Sequence, residues 1–392
     1  MSEKDCKQGW LPLIILTVAG FTFNTSELVP IGLLTDIAAS FGVSEARAGL
    51  LITVYAWVVA VMSLPLMLAF ARVNFRQLMM GVVAVFLVSH VATALSTSYY
   101  ALMASRVGVA LAHSLFWSIA PAMAVAVVAP QKRATALSAL VAGGGIAMVA
   151  GLPLGRVLGL VAGWRITFAA IGFLSLLILV GLYLRFPSLP QDNRHDSRRE
   201  MISSLWHCKP LLAIYAITAV IITGHYTGYS YIEPFMAQIA GLGDQTITVS
   251  LGLFGVAGLL GSYIMSRWFT GHQRLLMGMA CLLIPASMML ILPAVHVHPL
   301  TLTVLCLTWG LGITMYNIAF QNDIVVLFPH DSAVPMSLYS GIFNLGIGGG
   351  ALVGGIVCDN DLIARIGYTG GAIALSAAVF ALTVYMRLRK RA

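Results

Sequence analysis

Charge is what this sequence has least of. Only 9% of its 392 residues are Asp, Glu, Lys or Arg, against 59% that are hydrophobic, where a soluble domain carries about 25% charged residues. That shortage excludes a water-soluble globular protein and leaves an integral membrane protein. Cysteine is scarce too. The five present, Cys6, Cys208, Cys281, Cys306 and Cys358, are scattered, odd in number and in no CxxC spacing, so neither a disulfide framework nor a metal site follows. A phosphate loop is missing: the GGG runs at 143 and 348 lie in apolar stretches without the Lys and Ser/Thr such a loop needs. No hydrolase, nucleotide or metal constellation stands out, so the chain reads as a non-enzyme without a cofactor, and uphill work has to draw on an ion gradient. The first apolar stretch is too long for a signal-peptide core and has no small-residue cleavage site, so it is expected to be retained as a span rather than cleaved as a leader.

What is there is apolar length. Breaks of charge, Pro and Gly divide the chain into twelve runs, each near the ~20 residues a spanning helix needs. The net charge of +8 is distributed as a topology signal and implies no nucleic-acid partner. Lys4, Lys7, Arg72, Arg76, Lys132, Arg133, Arg185, Arg194, Arg198, Arg199, Lys209, Arg267, Arg274, Arg387, Arg389, Lys390 and Arg391 fall on one side of the alternating segments, and only Arg47, Arg165 and Arg365 on the other. The positive-inside rule then puts both termini in the cytoplasm.

One long polar segment interrupts the pattern. Residues 187–208, from PSLPQDNRHDSRRE onward, are expected to form a cytoplasmic linker between an N-terminal six-helix bundle (1–186) and a C-terminal one (209–392). The halves are weakly similar at an offset of 199: Pro130 maps to Pro329, Ser138 to Ser337, Gly151 to Gly350 and Gly155 to Gly354. Duplicated six-helix units are the arrangement of transporters whose substrate site lies between repeats near the bilayer midplane. The expected fold is therefore an all-α membrane protein of twelve transmembrane helices in two pseudo-symmetric six-helix bundles.

The central candidate is Glu27, the sole ionisable side chain between about Leu11 and Leu34. An ionised carboxylate in hydrocarbon costs at least ~2.5 kcal/mol, so it has to face a cavity or partner, or be protonated for part of a cycle. Arg106 in the fourth run stays charged at any accessible pH and cannot lie unpaired in lipid. At ~1.5 Å per residue, both belong in the outer third of the bilayer, where a Glu27–Arg106 pair is geometrically possible. His113 is seven residues beyond Arg106 and Trp117 four more, so all three share a helix face. In the seventh run His225, Tyr229 and Glu233 step by four, with Tyr226 alongside and Pro234 ending or kinking the helix. Aromatic rings that cover apolar sugar faces, with polar groups for hydroxyls, suit a hydroxylated solute. Asn317 and Gln321 share a face in the tenth run, which Asn344 of the eleventh can join, while Asp323 is expected to reach cytoplasmic water. His90 has no polar companion nearby in sequence and reads as a packing residue. In the fifth run Gly151, Gly155 and Gly159 clear one face for close backbone contact. Pro153 permits a bend, so Gly151, Pro153 and Gly155 are hinge candidates.

The segment Gly151–Phe168, with its G-L-P-L-G, G-W-R and T-F elements, resembles the fifth-span motif of antiporters of the major facilitator superfamily. NTSELVPIGLLTDIAASFGVSEARAGLLITVYAW (24–57), SRVGVALAHSLFWS (105–118), HYTGYSYIEPF (225–235) and SGIFNLGIGGGALVGG (340–355) extend the likeness, which is to the arabinose efflux permease group, with the HYTGYSYIEPF stretch similar to its sugar efflux transporters. The chain departs from the family at LAFARVNFRQL (68–78), where Ala71 and Asn74 stand in place of the Asp and Gly of a cytoplasmic latch, and in the fourth run, where Val109 and Ala110 replace a Gln and a Gly. The resemblance implies proton-coupled efflux of sugars or sugar-like molecules across the bacterial inner membrane by alternating access, as a monomer. It would place proton coupling on Glu27, Arg106 and His113. Substrate contacts would be Asn24, Tyr55, His113, Trp117, His225, Tyr226, Tyr229, Glu233, Asn317, Gln321 and Asn344. The alternatives are a multidrug/proton antiporter for amphipathic antibiotics and a sugar sensor that moves nothing.

Overall fold

The computed structural model describes residues 10–70, 73–129, 132–187, 205, 207–328 and 333–389. Most of the 187–208 linker, Ala71, Arg72, Pro130 and Pro329 lie outside these residues. Among the described residues, twelve helices are long and apolar enough to cross a membrane: Trp10–Gly32, Glu45–Ser63, Phe75–Ala94, Tyr99–Ala126, Thr135–Ala162, Trp164–Arg185, Lys209–Tyr229, Asp244–Phe269, Gly271–Val295, Leu300–Leu327, Val334–Asp359 and Ile363–Arg389. They are called the first to twelfth spans below.

Local chemistry sets several of their ends. Asn74, one of the departures from the latch pattern, caps the third span by accepting from the Arg76 amide at 2.9 Å, and Arg76 donates to the Tyr183 carbonyl at 2.6 Å. Ser98 caps the fourth span through the Ala101 amide, 3.3 Å away, as short hydroxylic and amide side chains commonly do. Gly163, with φ +91°, turns the chain between the fifth and sixth spans. In the G-W-R element that follows, Arg165 lies 4.2 Å from the Trp164 ring centre and donates to the Ser96 carbonyl at 3.1 Å. The sequence gives no sign of the short helix Leu34–Phe41 after the first span, which ends at Gly42 in a left-handed conformation.

Two compact units result: Met1–Val29 with Val61–Asn193, and Pro30–Ala60 with Arg194–Ala392. Compactness thus draws its boundary differently from the six-plus-six halves, because residues 30–60 pack with the C-terminal chain.

Within the first unit the glycine face of the fifth span rests on the first span. Gly143 meets the Thr17 carbonyl, Gly151 meets Thr25 and Gly155 meets Val29, each so closely that an added Cβ would overlap. Within the second unit Gly350 meets the Thr223 carbonyl and Tyr226, and Gly354 meets the Thr227 carbonyl and Tyr231. Glycines at equivalent places in the sequence repeat therefore do the same packing job in each unit. They differ in one respect: the fifth span carries a π-helical turn, Ala147–Gly151, just before Pro153, whereas the eleventh is continuous.

Candidate functional site

The first unit holds a chain of polar groups in an otherwise apolar interior. Arg106, 1% exposed, donates from Nη1 to the Ser26 carbonyl at 3.1 Å and to Ser26 Oγ at 3.3 Å. Ser26 Oγ lies 2.8 Å from His90 Nε2, and His90 Nδ1 lies 2.9 Å from the Phe86 carbonyl. The carbonyl can only accept, so the His90 proton is on Nδ1; Nε2 then accepts from the Ser26 hydroxyl, and the hydroxyl oxygen accepts from Arg106. Phe168 lies under the guanidinium at 5.9 Å. His90 is thus no mere packing residue: it fixes the hydroxyl that steadies Arg106. Sequence spacing could not join it to Ser26, 64 residues away.

Glu27 follows Ser26, and its carboxylate is 3.7 Å from His113 Nε2, with side-chain exposures of 21% and 6%. His113 is thus a close-range partner of Glu27, while Arg106 donates to Ser26. Trp117, half-buried, lies 6.5 Å from the His113 ring, and Phe23 6.0 Å away on another side. Asn24 rests its amide on Gly144, close to the Trp117 ring. Asn24, Glu27, Arg106, His113 and Trp117 thus all occur in one unit, on the first and fourth spans.

Candidates in the second unit fall into separate groups. His225 Nδ1 accepts from Trp309 Nε1 at 2.8 Å. Its ring stacks on Tyr229 at 5.2 Å and meets Tyr226 edge-on at 4.7 Å, with Phe254 completing the cluster. All five side chains are buried. Trp309 and Phe254 were not singled out by any motif, though an indole near a buried His is a useful signal, since its N–H needs an acceptor. Gln321 donates to Asn317 at 2.7 Å, and the third member of that group is Tyr339 at 3.1 Å. Asn344 instead donates to the Ser340 carbonyl at 3.0 Å, and its Oδ1 has no hydrogen-bond partner among the described residues. Glu233 is buried and takes the Thr35 hydroxyl at 2.8 Å. Tyr55 is buried as well. Asp323 does not reach water: it is buried, accepts from Arg389 at 2.6 and 2.9 Å and from Tyr385 at 2.5 Å.

A family model described as the Major Facilitator Superfamily matches residues 13–351. The chain belongs to this superfamily. As a major facilitator it is a multi-pass membrane transporter of twelve spans and not an enzyme, and such transporters work without a cofactor. Solved structures agree on the fold. A bacterial homologue of the human lysosomal transporter Spinster, in an inward-facing and unoccupied conformation, is 15% identical with a TM-score of 0.78, covering 99% of each chain. A D-xylose-proton symporter is 14% identical with a TM-score of 0.75, over 95% of this chain and 97% of its own. The peptide transporter POT, solved with alafosfalin, is 13% identical with a TM-score of 0.75, over 96% and 95%.

One residue of this major facilitator is absent from the candidates above. Arg156, in the fifth span directly after Gly155, is 1% exposed. A guanidinium inside a span is a functional candidate by default, so charge alone within the run 135–162 was the available signal.

Proposed function

We propose that this protein exports sugars or sugar-like small molecules from the cytoplasm in exchange for protons, by alternating access across a bacterial inner membrane with both termini inside. The observation that carries the proposal is the setting of Glu27. It is a lone intramembrane carboxylate at 3.7 Å from a His, beside an Arg that neutral groups already hold in place. A carboxylate in such a place is stabilised by nearby positive charge and destabilised by burial, so a small displacement of Arg106 or His113 changes whether it keeps its proton. Ser26, fixed by His90, sets where Arg106 points. Substrate arriving from the cytoplasm favours ionised Glu27; a proton arriving from outside neutralises it and releases the substrate.

Asn24 and Trp117 in the first unit, and His225, Tyr226, Tyr229, Glu233, Asn317, Gln321, Asn344 and Tyr55 in the second, are the proposed solute contacts. The aromatic members cover apolar sugar faces and the amides serve hydroxyls. Gly151, Pro153 and Gly155 form the proposed hinge, supported by the π-helical turn that precedes Pro153, since such turns concentrate at functional sites. Gly155→Leu should cripple transport and Gly155→Ala should be milder, read as flux per folded, substrate-binding protein.

The deciding experiment is efflux of labelled sugars and antibiotics from energised vesicles, with and without a protonophore. Sugar efflux that stops with the protonophore supports the proposal. Efflux of antibiotics alone would make the protein a drug antiporter, and binding without flux would make it a sensor.

A further inference from the structure

The His225 cluster lies wholly within the second unit, and the proton on its imidazole can be placed from geometry. Trp309 Nε1 is 2.8 Å from His225 Nδ1. An indole nitrogen only donates, so Nδ1 accepts and carries no proton. The proton of the neutral ring is therefore on Nε2, which points to another side of the imidazole. Trp309 is fully buried, so its N–H depends on that one acceptor. Gly228, nearly one turn on from His225, makes room for the contact: a Cβ there would come within 3.1 Å of the Trp309 ring and 2.8 Å of Met288 Cε.

Two polar groups of this cluster lack a partner. Neither His225 Nε2 nor the Tyr229 hydroxyl has a hydrogen bond among the described residues, although both side chains are only 1% exposed. They step by four on one helix face, with their rings stacked 5.2 Å apart. Buried polar groups are as a rule satisfied, so these two call for a partner from outside the chain: water in the empty transporter, a solute oxygen in the loaded one. The rings of Tyr226, Trp309 and Phe254 surround His225 at 4.7, 5.5 and 6.2 Å. Aromatic rings alone would suit a cation as well as a sugar face. The N–H decides between them, since an ammonium brings only donors whereas a hydroxyl brings an acceptor.

We propose that Trp309 is a positioning residue for solute selection. It holds His225 in the tautomer with the proton on Nε2, and that fixed donor, with the Tyr229 hydroxyl beside it, favours neutral solutes that present a hydroxyl oxygen there over cationic ones. Trp309 acts through His225 and need not touch the solute. The inference deepens the reading of this cluster as a solute contact and rests on it. Two substitutions at His225 separate the roles of its nitrogens. Asn carries an amide oxygen to the place of Nδ1 and loses the Nε2–H. Gln carries an amide nitrogen to the place of Nε2 and leaves the indole N–H unpaired.

In the full-length detergent-solubilised protein, His225→Asn should denature at the wild-type temperature yet bind the methyl glycosides of glucose, galactose and arabinose about tenfold more weakly. It should also lose the wild-type preference for a parent sugar over one of its monodeoxy derivatives, while its affinity for tetraphenylphosphonium does not fall. His225→Gln should keep that preference and denature at lower temperature. Nitrogen-15 spectra of histidine-labelled protein, with His225 assigned by subtraction of His225→Asn, should show a protonated Nε2 that shifts on sugar addition and an unprotonated, hydrogen-bonded Nδ1. Trp309→Phe should lose the hydrogen-bonded Nδ1 signal and weaken the sugar preference several-fold. A proton on Nδ1 in the wild type would overturn the proposal, as would stability and sugar preference falling together in both His225 variants. A wild type that exports sugars with no sugar-dependent shift at Nε2 would overturn the donor assignment and leave the export reading standing. Tetraphenylphosphonium binding without sugar binding would overturn both.

Discussion

Arg106 is buried and Arg389 half-buried, and the protein treats these two guanidiniums in opposite ways. Arg389 meets Asp323 through two short hydrogen bonds, with Tyr385 on the same carboxylate and Gln273 taking a further donor at 2.7 Å. Charge is matched by charge and the geometry is closed. Arg106 donates to neutral Ser26, and the carboxylate of Glu27 lies 3.7 Å from a His. The difference separates two uses of buried charge. A closed pair ties helices together, here the tenth span to the end of the twelfth. An open arrangement leaves the carboxylate to exchange partners or a proton, which is what a coupling site needs.

The largest effect that would test this contrast is at Glu27. Glu27→Gln keeps size and loses titration, so gradient-driven export should vanish while yield and solute binding persist; uphill export at normal rate would remove the open site from the mechanism. Asp323→Asn should show the reverse profile. Breaking a buried pair from one side costs on the order of 3 kcal/mol, so denaturation in detergent should move to clearly lower temperature while the protein that remains folded still couples transport to protons. Normal stability with lost coupling would erase the distinction between the two arginines. Ser26→Ala probes the support of the open site. It leaves His90 Nε2 without the hydroxyl and takes one of two Ser26 bonds from Arg106, for about 1–3 kcal/mol, and should alter the pH dependence of transport more than its maximal rate; an unchanged pH profile would mean that the hydroxyl does not set where Arg106 points. Smallest is Tyr229→Phe, which removes one hydroxyl from the His225 cluster. It should change relative affinity among sugars by a few-fold with unchanged yield, and identical affinities across a panel would move solute recognition elsewhere.

How much of this was legible in the sequence depends on the range of the interaction. Span number followed from composition and the ~20-residue length of a crossing, and the twelve helices agree in position with the apolar runs. The glycine face of the fifth span was visible because its spacing is a property of one helix; that its partner is Thr25 and Val29 was not. Glu27, Arg106 and His113 stood out because charge or a titratable ring in hydrocarbon is costly. Ser26 and His90 did not, since a Ser is unremarkable until its partner 64 residues on is known. Asp323 was misjudged because Arg389 is distant in sequence and supplies what water was expected to supply.

The π-helical turn at Ala147–Gly151 has a consequence for chain length. At 3.6 residues per turn, eight regular steps from Gly143 to Gly151 would leave the two glycines about 80° apart around the helix. A single wide turn absorbs one residue, so the interval acts as seven steps and the glycines come to within about 20°. Both can then look toward the first span, as they do. One residue between Ala147 and Ala150 is therefore surplus to the register. Its deletion should straighten the helix and keep the close-packed face, at the cost of whatever motion the turn provides, whereas removing a residue between Gly155 and Gly159 would rotate the Arg165 turn off the Ser96 carbonyl.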